Sequence, residues 1–278
     1  MRQFARREIL ERLEGKRVAR EPIIMGGAGI GLVAKAADRA GIDILMAYNT
    51  GLFRMDGYGS LAGYLAYGDS NAMTLDLGRH LLKVVENTPV IGGIGAADPY
   101  RDIDRLMTEM LTLGFSGITN VPTAGLYDGA FRRHIDHTNL GYSQEVKLIS
   151  TCRQRDIFTV AYAFNPDECR AMAAAGADVI GLHVGLTTGG MIGAEEAVSL
   201  DDACMKLEEM ADAAREERAD VVVVAHGGPF EDPPSVQVGF DRTSVDGYLG
   251  ASSIERLPVE RAIAAVVEEY QALTLKPR

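Results

Sequence analysis

Cysteine and lysine are scarce in this sequence, and neither positive charge nor apolar residues run on for long. The three cysteines, Cys152, Cys169 and Cys204, are widely separated and have neither a CxxC pair nor metal-ligand spacing. They read as reduced thiols on helices, which points to a cytoplasmic location. Formal net charge is −11, and no Lys/Arg cluster persists beyond the first twenty residues. Nucleic acid, whose phosphates demand a basic face, is therefore excluded as a partner. No segment has the uninterrupted apolar length of a membrane span, so no membrane partner is expected. The opening "MRQFARREILERLEGKR" is charged throughout and lacks the apolar stretch of a signal peptide. Phe4, Ile9, Leu10 and Leu13 instead give it one apolar helical face.

What is present is a regular alternation. Short β-rich apolar runs occur at Ile23–Met25, Ile42–Ala47, Val90–Gly93, Gly117–Asn120, Phe158–Tyr162, Val179–Leu182, Val221–Ala225 and Gly247–Leu249. Helical patterns lie near 32–40, 71–86, 100–113, 142–155, 166–175, 201–217 and 258–272. Strand-then-helix order implies parallel pairing, because a parallel strand needs a crossover to return. Eight such units in 278 residues predict a (β/α)8 TIM barrel, with a doubly wound open sheet as the alternative. No linker or low-complexity stretch divides the chain. Residues 1–20 form a helical extension and 21–278 the barrel domain. Repeated entries such as "RAGIDI" and "AAGADV" end a helix with Gly and begin the next strand.

Long connections follow strands 2, 4, 6 and 7, on the side where barrels place their sites. After strand 2, Asn49 stands at the strand end and Arg54 follows as a candidate carboxylate clamp. Asp69 or Ser70 is positioned to cap the helix beyond. After strand 4, Asn120 ends the strand and is a candidate catalytic group. Further along, Arg132, Arg133 and His134 read as a surface helix, and the His134/His137 spacing lacks an acidic companion for a metal. His183 and His226 fall at corresponding ends of consecutive strands, where imidazoles are candidates for proton transfer. Thr187 and Thr188 sit on the loop after His183, as a substrate wall or lid. Gly227 and Gly228 expose backbone N–H groups beside His226. Gly250, Ala251, Ser252 and Ser253 resemble the phosphate cradle that barrels build after strands 7 and 8.

The lysines, Lys16, Lys35, Lys83, Lys147, Lys206 and Lys276, end no expected strand, which removes a Schiff-base aldolase. No strand end offers adjacent carboxylates, so a divalent cation stays open without a clear ligand motif, and no other cofactor is indicated.

Four strings, "YNTGLFRMDGYGSLAGYLAYGDSNAM", "GFSGITNVPTAGLYDG", "HVGLTTGG" and "AHGGPF", carry a resemblance over nearly the whole chain. They resemble the phosphoenolpyruvate hydrolase-like family, also described as TIM-barrel signal-transduction proteins. The resemblance implies a TIM barrel related by fold to phosphoenolpyruvate mutases and indole-glycerol-phosphate synthases. Its name implies hydrolysis of phosphoenolpyruvate or a related phospho-keto acid. This sequence lacks the acidic Mg2+ cluster and Lys/Cys gating loop of the mutases, and the strand lysines of the synthases. The expected activity is hydrolysis or C–C cleavage of a small anionic phospho- or keto-acid metabolite. The alternative is a barrel that senses such a ligand for regulation without transforming it. Apolar faces on the N-terminal helix and on "PVERAIAAVVEEYQALTLKPR" predict a homo-oligomer.

Overall fold

Eight parallel strands close into one barrel in sequence order, β1 pairing with β8, in the computed structural model, which describes residues 2–194 and 198–277. The strands are β1 Ile23–Gly27, β2 Ile44–Ala47, β3 Val90–Gly93, β4 Gly117–Thr119, β5 Phe158–Ala163, β6 Val179–His183, β7 Val222–His226 and β8 Gly247–Gly250. Helix α1 (Arg6–Ala19) precedes them, and α2 (Gly31–Arg39) crosses from β1 to β2. The β2 connection carries α3 (Asn49–Met55) and α4 (Ser70–Leu81), and α5 (Ile103–Leu113) follows β3. After β4 come α6 (Gly129–His137) and α7 (Tyr142–Gln154), then α8 (Pro166–Ala175) after β5. The last are α9 (Leu200–Glu217), α10 (Pro233–Arg242) and α11 (Arg256–Gln271). The TIM barrel is thus the observed fold. Among the described residues no helix is long and apolar enough to cross a membrane.

The period-2 alternation of each strand divides the core. Ile44 and Met46, Phe158 and Val160, Val179, and Val222 and Val224 share one buried cluster that fills the barrel interior. The intervening Leu45, Ala161, Ile180, Leu182, Val223 and Ala225 belong to clusters shared with the surrounding helices. Helix α1 closes the N-terminal end of the barrel: Phe4, Ile9 and Leu13 join the interior cluster. Arg6 fastens it there, donating from Nε to both Asp178 oxygens at 3.2 and 3.0 Å and from Nη2 to Oδ1 at 2.6 Å.

Sequence and structure differ at α10, which lies outside the helical patterns read from the sequence. Asp232 caps it by accepting from Ser235 N at 2.9 Å, ahead of Pro233 and Pro234. Proline at the first helical positions removes only amides that the helix leaves unbonded anyway. Asp69 does cap α4, accepting from Ala72 N at 2.9 Å. Helix α11 buries Arg256 and Leu257, then leaves Ile263, Val266, Val267 and Tyr270 on solvent.

Because Leu13 is 2% exposed and sits in the barrel floor, Leu13→Ala is expected to destabilise by about 2–5 kcal/mol in urea unfolding. Val18→Ala on the same helix, at a 76% exposed position, is expected to stay within about 0.5 kcal/mol. Equal effects would show that α1 does not seal the barrel.

Candidate active site

Continuing the inward alternation by one more step sets the chemistry at the C-terminal end of the barrel. Ile44 and Met46 lead to Tyr48, Phe158 and Val160 to Tyr162, Val179 to His183, and Val222 and Val224 to His226. His183 and His226 are register partners on adjacent strands, with ring centroids 4.9 Å apart and planes at 64°. Tyr162 packs edge-on against His226 at 5.0 Å, and its hydroxyl lies 3.2 Å from that of Tyr48.

The two imidazoles have opposite hydrogen-bond partners. His226 Nδ1 lies 2.7 Å from the carbonyl oxygen of Leu249, which can only accept. The Nδ1 of His226 therefore carries the proton, and its Nε2 presents a lone pair. His183 Nδ1 accepts from the Gly185 amide at 3.2 Å, so its proton sits on Nε2. Burial pushes His183 well below its usual pKa, helped by repulsion from His226. Burial likewise lowers His226, to about 4. Both rings are neutral near pH 7, one a donor and the other a base.

Beside them lies a buried ion pair. Arg54 Nε bonds Glu255 Oε1, while Nη1 donates to Thr50 and Ser60 hydroxyls, both at 3.1 Å. Glu255 Oε2 accepts from the Gly29 amide at 2.7 Å. Gly29 must be glycine, because a Cβ there would lie 2.0 Å from Gly51 O. Burial alone would lower the Arg54 pKa, but the attraction of Glu255 reverses this and the guanidinium stays charged. Its Nη2 is buried with no hydrogen-bond partner among the described residues. A buried charged donor without a partner is costly, and here the Glu255 pair offsets that cost.

These groups line a cavity of about 210 Å3, whose wall includes Tyr48, Arg54, Tyr162, His183, His226 and Arg256. Thr187, Ala251 and Ser252 also face it. Other candidates are engaged elsewhere. Asn120 stands one residue beyond inward-facing Thr119, so the alternation turns it outward. It donates to Glu145 of α7 at 2.5 Å and accepts from Tyr162 N at 2.7 Å. Asn120 thus positions β5 and does not face the cavity. Burial pushes Glu145 up to about 8, against the pull of donors from Thr123, Ala124 and Asn120. Asn49 donates to Gly63 O at 2.6 Å, and Thr188 to Glu231 at 3.0 Å, so neither lines the cavity. Gly228 N donates to Gly185 O at 2.8 Å, and Gly227 lies against the same carbonyl, closing the loops on each other. Of the expected cradle, Gly250 lies behind the wall and Ser253 pairs with the Tyr248 hydroxyl at 2.7 Å. Sequence reasoning missed Tyr48, Tyr162, Glu255 and Arg256. Strand parity counted from His183 and His226 would have found the two tyrosines.

The family described as phosphoenolpyruvate hydrolase-like matches residues 8–273. The tomato (Solanum lycopersicum) ToMV susceptible protein tm-1(GCR26) is 44% identical over 269 residues, covering 96% of this chain but 36% of that protein. The chain therefore spans about a third of the length of this curated relative. Among solved structures, phosphoenolpyruvate phosphomutase from Streptomyces platensis subsp. rosaceus is 15% identical at a TM-score of 0.60, covering 94% of this chain and 86% of that one. A phosphonopyruvate hydrolase in complex with oxalate and Mg2+ is 17% identical at 0.58, covering 95% and 86%. At such identity these two report the fold alone. With the family match running through all eight strands, the chain belongs to the phosphoenolpyruvate hydrolase-like family.

Proposed function

We propose that the chain is an enzyme that breaks a C–C bond in a small 2-keto acid, using His226 as base and His183 as hydrogen-bond donor. The observation that carries this reading is the pair of neutral imidazoles with opposite proton placement, facing one cavity whose wall includes Arg54. The Arg54 guanidinium on the cavity wall would hold the substrate carboxylate, with the charge-assisted bond such pairs form. In a keto acid bearing a hydroxyl two carbons beyond the carbonyl, His226 Nε2 takes the hydroxyl proton. His183 Nε2–H bonds the same oxygen as its charge develops. The C–C electron pair then shifts to form an enolate, an aldehyde leaves, and the imidazolium proton returns to carbon. No outside oxidant or reductant is required.

The family name and the small cavity walled by Arg54 and Arg256 support a keto-acid substrate. Mg2+ of the kind held by the phosphonopyruvate hydrolase does not fit here. It takes carboxylate and water oxygens in octahedral geometry. The cavity wall carries no carboxylate among the described residues, and the adjacent Glu255 is engaged by Arg54 and Gly29. A second reading, hydrolysis of a phospho-keto acid, is favoured by Ala251, Ser252 and Arg256 on the wall.

A keto-acid and phospho-keto-acid panel separates these readings by the product released, aldehyde or phosphate. His226→Ala and His183→Ala are each expected to lower kcat/KM by roughly 10²–10⁴-fold. Unchanged turnover in both variants would reject imidazole chemistry. Saturable thermal stabilisation of the wild type by a panel acid, with no turnover, would instead identify a ligand-sensing barrel.

The pH profile provides a separate check. A His226 pKa lowered to about 4 leaves the base unprotonated down through pH 5, so the acid limb of kcat/KM is expected near 4. A limb near 6.5 would contradict a desolvated base.

A further inference from the structure

We infer that the Tyr48–Tyr162 hydroxyl pair is the oxyanion site of this cavity, holding the developing enolate oxygen by a phenol proton in place of a divalent cation. The inference deepens the keto-acid reading and rests on it for the identity of the oxygen. Three features of the pair lead there.

The first is proton counting. The two hydroxyls carry one proton each, and their 3.2 Å contact uses one. The other has no protein partner among the described hydrogen bonds, and both residues line the cavity. One O–H donor is therefore available to whatever occupies that space. The second is position. Tyr162 is packed edge-on against the base His226, while the Arg54 guanidinium carbon lies 5.7 Å from the Tyr48 ring centroid. The pair thus stands between the proton-transfer group and the carboxylate-binding group. A 2-keto acid presents its carbonyl oxygen next to its carboxylate, which matches that order. The third is protonation. Burial raises both phenols above their ordinary pKa, so they remain donors at neutral pH. Fixed, desolvated donors aimed at a developing charge need no reorganisation during reaction.

The composition of the wall explains why this pair is suited to replace a metal. A divalent ion would find no carboxylate on the wall to ligate it, since the nearby Glu255 is engaged by Arg54 and Gly29. A neutral phenol donor needs none. The hydroxyl donates a hydrogen bond and does not transfer its proton; the enolate proton is supplied by His226.

Oxalate, a planar dianion resembling the carboxylate-plus-enolate edge, is the probe. Calorimetric titration of the whole chain with oxalate in EDTA is expected to give saturable binding, unchanged by Mg2+ replacing the chelator. Tyr162→Phe and Tyr48→Phe are each expected to weaken it by roughly 10–100-fold, the range for hydrogen bonds to charged groups. Their thermal melts report folding, and Tyr48→Phe stands as the second test should Tyr162→Phe fail to fold. Binding that requires Mg2+ would overturn the inference, as would wild-type affinity in both phenylalanine variants. Absence of oxalate binding with and without Mg2+ would overturn it too. Failure of the keto-acid reading looks different: oxalate would bind without metal and through the tyrosines, yet no panel acid would turn over.

Discussion

The Arg54–Glu255 ion pair is the constraint around which the C-terminal end of the barrel is arranged. It joins the connection after β2 to the turn after β8, passing over β1 between them. Glu255 then reaches the Gly29 amide, so three successive connections share one carboxylate. Removing either partner of such a pair leaves an uncompensated buried charge, at a cost of about 3–5 kcal/mol. The pair also sets the remaining donor: with Nε and Nη1 engaged, Nη2 is left buried and without a hydrogen-bond partner among the described residues. The guanidinium proposed to hold the ligand is thus the one that ties these connections together.

Interior and exterior of the barrel obey a single alternation, and the site is its last inward layer. The lower layers are aliphatic and aromatic, and the top layer is tyrosine and histidine. This explains the depressed histidines. They stand on an apolar stack that water does not reach, with each ring held by one backbone group. Neutral imidazoles with fixed tautomers are what such an environment produces.

Much of this was legible before the structure. Eight apolar runs in alternation with helical periods specify the barrel, and the equal placement of His183 and His226 at their strand ends survives as a register pair. Misreadings occurred where one residue changes the answer. Asn120 differs from an inward position by a single step, and that step directs it to Glu145. The start of α10 was hidden by two prolines that mark turns as readily as first helical turns. Tyr48 and Tyr162 look like core aromatics in any local window, because their function depends on layer height within the barrel. Glu255 looks like a solvated helix-entry residue until Arg54, 201 positions away in sequence, is brought against it.

The apolar seal formed by α1 has a consequence for traffic through the molecule. With Phe4, Ile9 and Leu13 packed into the floor and Ile44, Phe158, Val179 and Val222 filling the interior above it, the described residues leave no passage through the barrel's N-terminal end. Traffic into the cavity between His183 and Arg54 is thereby confined to the C-terminal face.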